Sequence, residues 1–317
     1  MDPIPKFRFS PLGFSWVALH PKPVGVIYCI GGAFFGTFPQ IFYRYLLKSL
    51  FDHGYTIVAI PYRFTFRHWS VAIGLLKDQS VLQGALVEEA KFRQYEYEIY
   101  DLDQEAASGK YFWLGHSLGC KYIALLELLT DLADKASNTK DPITDLFGDC
   151  IPPQERQRLE MLLATVDLQE QSIKNQKSVL MAPAIEGIEG AIPFLRNPIF
   201  SGLKRFLNRI GIRVEPSQAE TFCLIQSSNL FNLTSLISFQ QDTRVAAPTV
   251  QWLLDNLADR LLQSAQLQGR HLAPLGWLRG NPEIATTVQE FIAPAPEASE
   301  PIASSTSYTT SPGTLAV

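Results

Sequence analysis

Gly115-His116-Ser117-Leu118-Gly119 is the stretch of this sequence whose residue types and spacing most directly point to chemistry. Gly-x-Ser-x-Gly lets a strand turn sharply into a helix with the serine at the apex, because neither glycine has a side chain to hold the backbone apart. The context fits: Tyr111–Leu114 (YFWL) reads as a strand, and Leu118–Asp131 reads as a helix. A hydroxyl presented there suits attack on a carbonyl carbon, provided that a base takes its proton and N–H groups hold the oxyanion. His116 is not read as that base. Neighbours on such a turn point in different directions, so it is expected to pack beside the sheet.

On elbows of this kind the acid and then the base follow the serine along the chain. His271, in Gly269-Arg270-His271-Leu272, is the only histidine after Ser117. Asp242 directly follows the apolar run Thr234–Phe239, where a loop would present a carboxylate at a sheet edge. Asp255 and Asp259 fall inside a helical pattern and are poorer rivals. The expected triad is therefore Ser117 as nucleophile, His271 as base and Asp242 as the group that orients the imidazole. The bland alternatives are a surface histidine and a turn-forming aspartate. For the oxyanion, Gly31-Gly32-Ala33-Phe34-Phe35-Gly36 follows a buried strand and lets backbone approach a substrate closely. The N–H of Ala33 is favoured, Gly32 is close behind, and Leu118 is the partner donor. Phe34, Phe194 and Phe200 are the expected substrate contacts. Gly-Gly-x-x-x-Gly lacks the dinucleotide spacing, and no suitable acidic residue ends the next strand, so no cofactor is expected there.

Positioning these residues takes a sheet. Val24–Ile30, Tyr55–Ile60, Tyr111–Leu114, Ser178–Ala182 and Thr234–Phe239 are short apolar runs bounded by turn residues. Helical patterns separate them: Pro39–Phe51, a charged region over about Gly84–Ala107, Leu118–Asp131 and Pro248–Leu262. Such alternation predicts an α/β fold, a mainly parallel sheet with helices on both faces. Ser15–His20 is expected to add an antiparallel edge strand, while Gln266–Gln268 barely reads as the last strand. Ser217-x-x-Glu220 has the form of a capping box and predicts a helix through about Ser227. Residues 1–292 form one domain in this reading, with insertions near 132–176 and 185–216. The second insertion is the candidate helical lid, because Ile192, Phe194, Leu195, Ile199, Phe200, Leu203 and Phe206 make an apolar surface. Completion of the core would explain those residues equally well. Residues 293–317 are Pro-, Ser-, Thr- and Ala-rich and read as a disordered tail.

Composition narrows the classes. A formal charge of -4 with no long basic block gives no argument for nucleic acid. No stretch approaches the roughly 20 apolar residues that span a bilayer, and Met1–Ser10 lacks the apolar run of a signal peptide. That leaves only peripheral membrane contact. The four cysteines have no Cys-x-x-Cys spacing, which argues against a zinc site and against a disulfide framework. A soluble protein of a reducing compartment is expected, with no metal.

The elbow, the Gly-Gly turn and the Asp242/His271 order resemble the α/β-hydrolase superfamily over about residues 15–292. More closely, Ile30-Gly-Gly-Ala-Phe-Phe-Gly, Pro61-Tyr62-Arg63-Phe64-Thr65-Phe66, Gly115-His-Ser-Leu-Gly-Cys120 and Arg270-His271-Leu272-Ala273-Pro274 resemble domain-of-unknown-function family 1350 of cyanobacteria and plastids. The resemblance implies the hydrolase fold and a cytoplasmic or thylakoid-peripheral setting, but no substrate. Ile30-Gly31 stands where many superfamily members place His-Gly, which leaves the exact oxyanion donor open. The function expected is hydrolysis of a carboxylic ester or thioester, with an apolar or lipid-like acyl group, through an acyl-enzyme. The alternative is a non-catalytic scaffold or lipid-binding protein that kept the fold.

Overall fold

β-Branched and aromatic residues fill Gly25–Ile30 (β3), Tyr55–Ile60 (β4), Tyr111–His116 (β5) and Thr234–Phe239 (β7), and nearly every side chain in them is buried. The computed structural model describes residues 5–101, 107, 109–136, 139–168, 171–185, 213–228, 231–276 and 280–293. Within them, Ser10–Leu12 (β1), Ser15–Ala18 (β2), Lys177–Met181 (β6) and Gln263–Leu267 (β8) complete a sheet of order β1-β2-β4-β3-β5-β6-β7-β8. β1 and β2 run antiparallel at one end, and every pair from β4 to β8 is parallel. The register aligns the carboxyl ends: Ile30 lies opposite Ile60 and Gly115, Met181 opposite Ile237, and Phe239 opposite Leu267. The loops that follow these strands therefore open on one edge.

Alternation along each strand feeds two cores. Tyr28, Tyr111 and Trp113 pack on one face with Leu76, Leu86 and Leu125, while Ile27, Cys29, Phe112 and Leu114 pack on the other with Leu47, Phe51 and Phe291. The first face is covered by His68–Arg93 (α3) and Leu118–Ala136 (α4), as α3 and α4 also touch each other. Pro39–Phe42 (α1), Arg44–Asp52 (α2) and Pro282–Ile292 (α9) border the second face. Each large side chain buried this way contributes about 1.5–3 kcal/mol.

Two expectations need correction. The long charged helix is α3, and it spans His68–Arg93 rather than about Gly84–Ala107. Gly74 and Gly84 sit within it with open space around them, and Trp69, Ile73, Leu76, Leu82 and Leu86 carry the buried stripe. The helix stops at Gln94, which adopts a left-handed φ of 60°. Second, the cysteines are not all free: Cys150 and Cys223 form a disulfide, with Cα atoms 5.4 Å apart across 73 residues of sequence. No local spacing announces such a pair, because the fold creates it. It also removes the ground on which a reducing compartment was expected.

In the 132–176 region, prolines start two helices, Pro142–Phe147 (α5) and Pro153–Leu163 (α6). Residues 186–212, the core of the candidate lid, and residues 294–317, the candidate tail, lie outside the described residues. After residue 212 the chain is anchored at several points. The Glu215 N–H donates to the Phe66 carbonyl, and the His68 N–H donates to that of Glu215. Lys121, fully buried on the first turn of α4, donates to the Pro216 carbonyl at 2.6 Å. Burial pulls its pKa down to about 7, against the opposite pull of Glu155 and Glu220. Gln218–Ser227 (α7) then begins with the capping box that Ser217 and Glu220 predict. Ala247–Leu257 (α8) follows β7. Among the described residues no helix is long and apolar enough to cross a membrane.

Candidate active site

β5 ends at His116 and α4 begins at Leu118, leaving Ser117 as the single residue of the turn. Its φ of 55° lies in the left-handed region that a residue with a side chain seldom adopts. The flanking glycines make the turn feasible. A Cβ at Gly119 would stand 2.1 Å from the Ile30 carbonyl oxygen, and one at Gly115 would stand 2.8 Å from Ile123 and 3.0 Å from the Cys120 backbone. Strand β3 and helix α4 thus meet where only glycine fits. The turn is pinned by the Ser117 N–H donating to the Met181 carbonyl and by the Ala184 N–H donating to that of Ser117.

Asp242 sits in the turn after β7. Its carboxylate accepts the N–H groups of Val245 at 3.1 Å and Ala246 at 3.2 Å, just ahead of α8. His271 follows β8 through Gly269, whose carbonyl accepts from the Gln241 N–H and so ties the two loops together. The imidazole Nδ1 lies 2.6 Å from Asp242 Oδ2, and Nε2 lies 2.9 Å from Ser117 Oγ. A carboxylate can only accept, so Nδ1 carries the proton and Nε2 is left to accept from the serine hydroxyl. Residues 242 and 271, with no local pattern to join them, meet at the serine. Burial pushes the Asp242 carboxyl upward, but the His271 imidazole and the Ala246 and Val245 N–H groups outweigh it and hold the group below its usual value. With its side chain 3% exposed, it stays an anion facing the ring.

The Gly31–Ala33 turn lies against the serine: a Cβ at Gly32 would come 3.1 Å from Ser117 Cβ and 3.6 Å from Oγ. Of the two expected donors in that turn, one is corrected. The Gly32 N–H already donates to the Tyr43 hydroxyl at 2.8 Å, so it is not free to hold an oxyanion. Among the described residues nothing accepts from the N–H of Ala33 or of Leu118. Phe34, the next residue, is 54% exposed and stacks on Phe64 with centroids 5.3 Å apart, and Phe64 in turn meets Phe66 edge-on. Phe194 and Phe200 lie outside the described residues.

Sequence reasoning gave Tyr43 no place at this site and expected His116 only to pack beside the sheet. His116 does pack beside the sheet, 1% exposed, yet its ring bridges the Tyr43 hydroxyl and the backbone carbonyl of His271. Pro39–Phe51 holds two tyrosines, Tyr43 and Tyr45, and only the fold shows that Tyr43 is the buried one whose hydroxyl must find a partner.

Residues 11–140 match the model of a family described as "Protein of unknown function (DUF1350)". No curated protein matches the chain. Among solved structures the chain is similar to esterase B from Lactobacillus rhamnosis (HN001), at 16% identity and a TM-score of 0.51, with 86% of this chain and 75% of that one covered. A carboxylesterase from Lactobacillus plantarum WCFS1 aligns at 13% identity and a TM-score of 0.48, over 84% of this chain and 83% of that one. At 16% identity the likeness to esterase B is one of fold.

Proposed function

From the α/β-hydrolase fold that this chain adopts, we propose that it is a serine hydrolase cleaving a carboxylic ester or thioester through an acyl-enzyme. The observation that carries the reading is the hydrogen-bonded line from Asp242 through His271 to Ser117, at 2.6 and 2.9 Å. Ser117 Oγ attacks the carbonyl carbon as His271 Nε2 takes its proton, and Asp242 stabilises the imidazolium through Nδ1–H. The N–H groups of Ala33 and Leu118 hold the oxyanion. As the tetrahedral species collapses, the alkoxide or thiolate leaves with the proton from His271. Water then repeats the sequence on the acyl-enzyme, which releases the acid and restores the serine.

An apolar acyl group is the substrate class that Phe34 favours, because this half-exposed ring follows the proposed oxyanion donor directly and is backed by Phe64. A series of p-nitrophenyl esters and acyl thioesters of graded chain length tests the class. Phe34→Ala should impair long chains more than acetyl, by up to about 0.8 kcal/mol for each methylene no longer sheltered. Equal loss at every length would remove Phe34 from the substrate site, and no turnover of any member would remove the hydrolase reading.

A further inference from the structure

His116 ties the loop that carries His271 to the turn that carries Ala33. Its Nε2 lies 2.8 Å from the His271 backbone oxygen, and its Nδ1 lies 2.7 Å from the Tyr43 hydroxyl. A carbonyl can only accept, so Nε2 carries the ring proton and Nδ1 is an acceptor. Tyr43 must therefore donate to Nδ1, and its oxygen accepts the Gly32 N–H at 2.8 Å. Every proton in the run has one place: Gly32 N–H to Tyr43, Tyr43 O–H to His116, and His116 N–H to His271. Burial, helped by the nearby His271, drives the His116 pKa down to about 3. A second ring proton would point at the Tyr43 hydrogen and break the run, so His116 works as a neutral ring.

We propose that His116 and Tyr43 are positioning residues, which set the base and the oxyanion turn against each other through one directed chain of hydrogen bonds. This inference rests on the roles given above to Ser117, His271 and Ala33. Attack on a carbonyl moves a proton onto His271 while charge grows at the oxyanion, so both groups must be in register at the same moment. The His271 side chain is held by Asp242 and Ser117, whereas its carbonyl is held by His116. At the other end, Tyr43 holds the Gly31–Gly32 peptide, one unit before the peptide that carries the Ala33 N–H. With the run cut, base and donor lose their common reference, and displacements of about 1 Å cost up to about 100-fold in rate.

The test compares the parent, Ser117→Ala, Tyr43→Phe, His116→Phe, His116→Gln and the Tyr43→Phe/His116→Phe double variant in hydrolysis of p-nitrophenyl butyrate, with thermal unfolding followed in parallel. Tyr43→Phe deletes one hydroxyl and no carbon, and the glutamine amide offers one donor and one acceptor in place of the imidazole. Tyr43→Phe and His116→Phe should each lower kcat about 10- to 100-fold with KM within about twofold. The double variant should lose little more than the worse single, as expected for links of one chain, and His116→Gln should recover most of the rate. Should His116→Phe fail to fold, Tyr43→Phe and His116→Gln still decide. Parent-like kcat in folded variants overturns the proposal, as does a loss confined to KM or an additive loss that tracks melting temperature. If the parent has no turnover that Ser117→Ala removes, the hydrolase reading falls and the positioning role falls with it. The other adverse outcomes, obtained on an active parent, overturn the positioning role alone.

Discussion

Asp242 has two duties at the scale of a single residue. It accepts from the His271 ring, and it accepts the N–H groups that lead into α8. Asp242→Asn separates them, because an asparagine carbonyl can still accept from Ala246 while its amide no longer demands a proton on Nδ1 of His271. The melting temperature should change little, yet kcat on an ester should fall by up to about 10^4-fold, since the wrong tautomer leaves Ser117 without a base. Steady-state kinetics beside a melting curve checks this, and a kcat within tenfold of the parent would contradict it. The meeting of Ser117, Asp242 and His271 was legible because the place proposed for each rests on short-range pattern or chain order. His116 and Tyr43 were not, because their link spans 73 residues and no local spacing marks it. Gly32 was misjudged for the same reason: a glycine turn announces close approach but not which N–H is already taken.

Among the elements, fully buried strands were the easiest to read, since a run such as Tyr55–Ile60 has no other stable home. β8 was nearly invisible because Gln263–Leu267 is a polar edge strand with only Leu267 buried. The α5–α6 region read only as an insertion, although Asp141 and the prolines at its helix starts were the signals that mark its helices. What ties that region to the rest is the Cys150–Cys223 bond between the turn joining α5 to α6 and the middle of α7. Closing a loop of 73 residues limits the unfolded chain, and its loss should cost about 2–4 kcal/mol. The Cys150→Ser/Cys223→Ser variant should accordingly melt at lower temperature, and a reductant should shift the parent the same way. Identical melting curves for parent and variant would show that the bond contributes nothing to stability.

For the molecule as a whole, a charge that matters away from the site is Glu127, buried on α4 beneath β6 and β7. One oxygen accepts from the Ser178 and Thr234 hydroxyls, each at 2.7 Å. Burial pushes its pKa up from 4.5 to about 7, against the lowering influence of those two hydroxyls and of Arg260. Below pH 4.5 the folded and unfolded chains both hold the proton, and above about 7 neither does. Between these values the folded chain binds more protons, so stability falls as pH rises, by a total on the order of 3 kcal/mol. Glu127→Gln mimics the protonated acid and should flatten that decline. Its gain in melting temperature over the parent should be largest above pH 7. A parent curve that instead rises between pH 5 and 7 by Glu127 alone would reverse the sign of this account.

Covalent labelling of Ser117 tests the central claim most directly. A fluorophosphonate phosphonylates a serine, with loss of fluoride, only when a base removes the serine's proton and donors hold the developing oxyanion, so no natural substrate is needed. Mapping the adduct by peptide mass spectrometry should place it on Ser117 in the parent, with none in Ser117→Ala and labelling slowed by at least about 100-fold in a folded His271→Ala. A parent that stays unlabelled while folded, or one that labels at Ser117 equally fast without His271, would contradict the serine-hydrolase account.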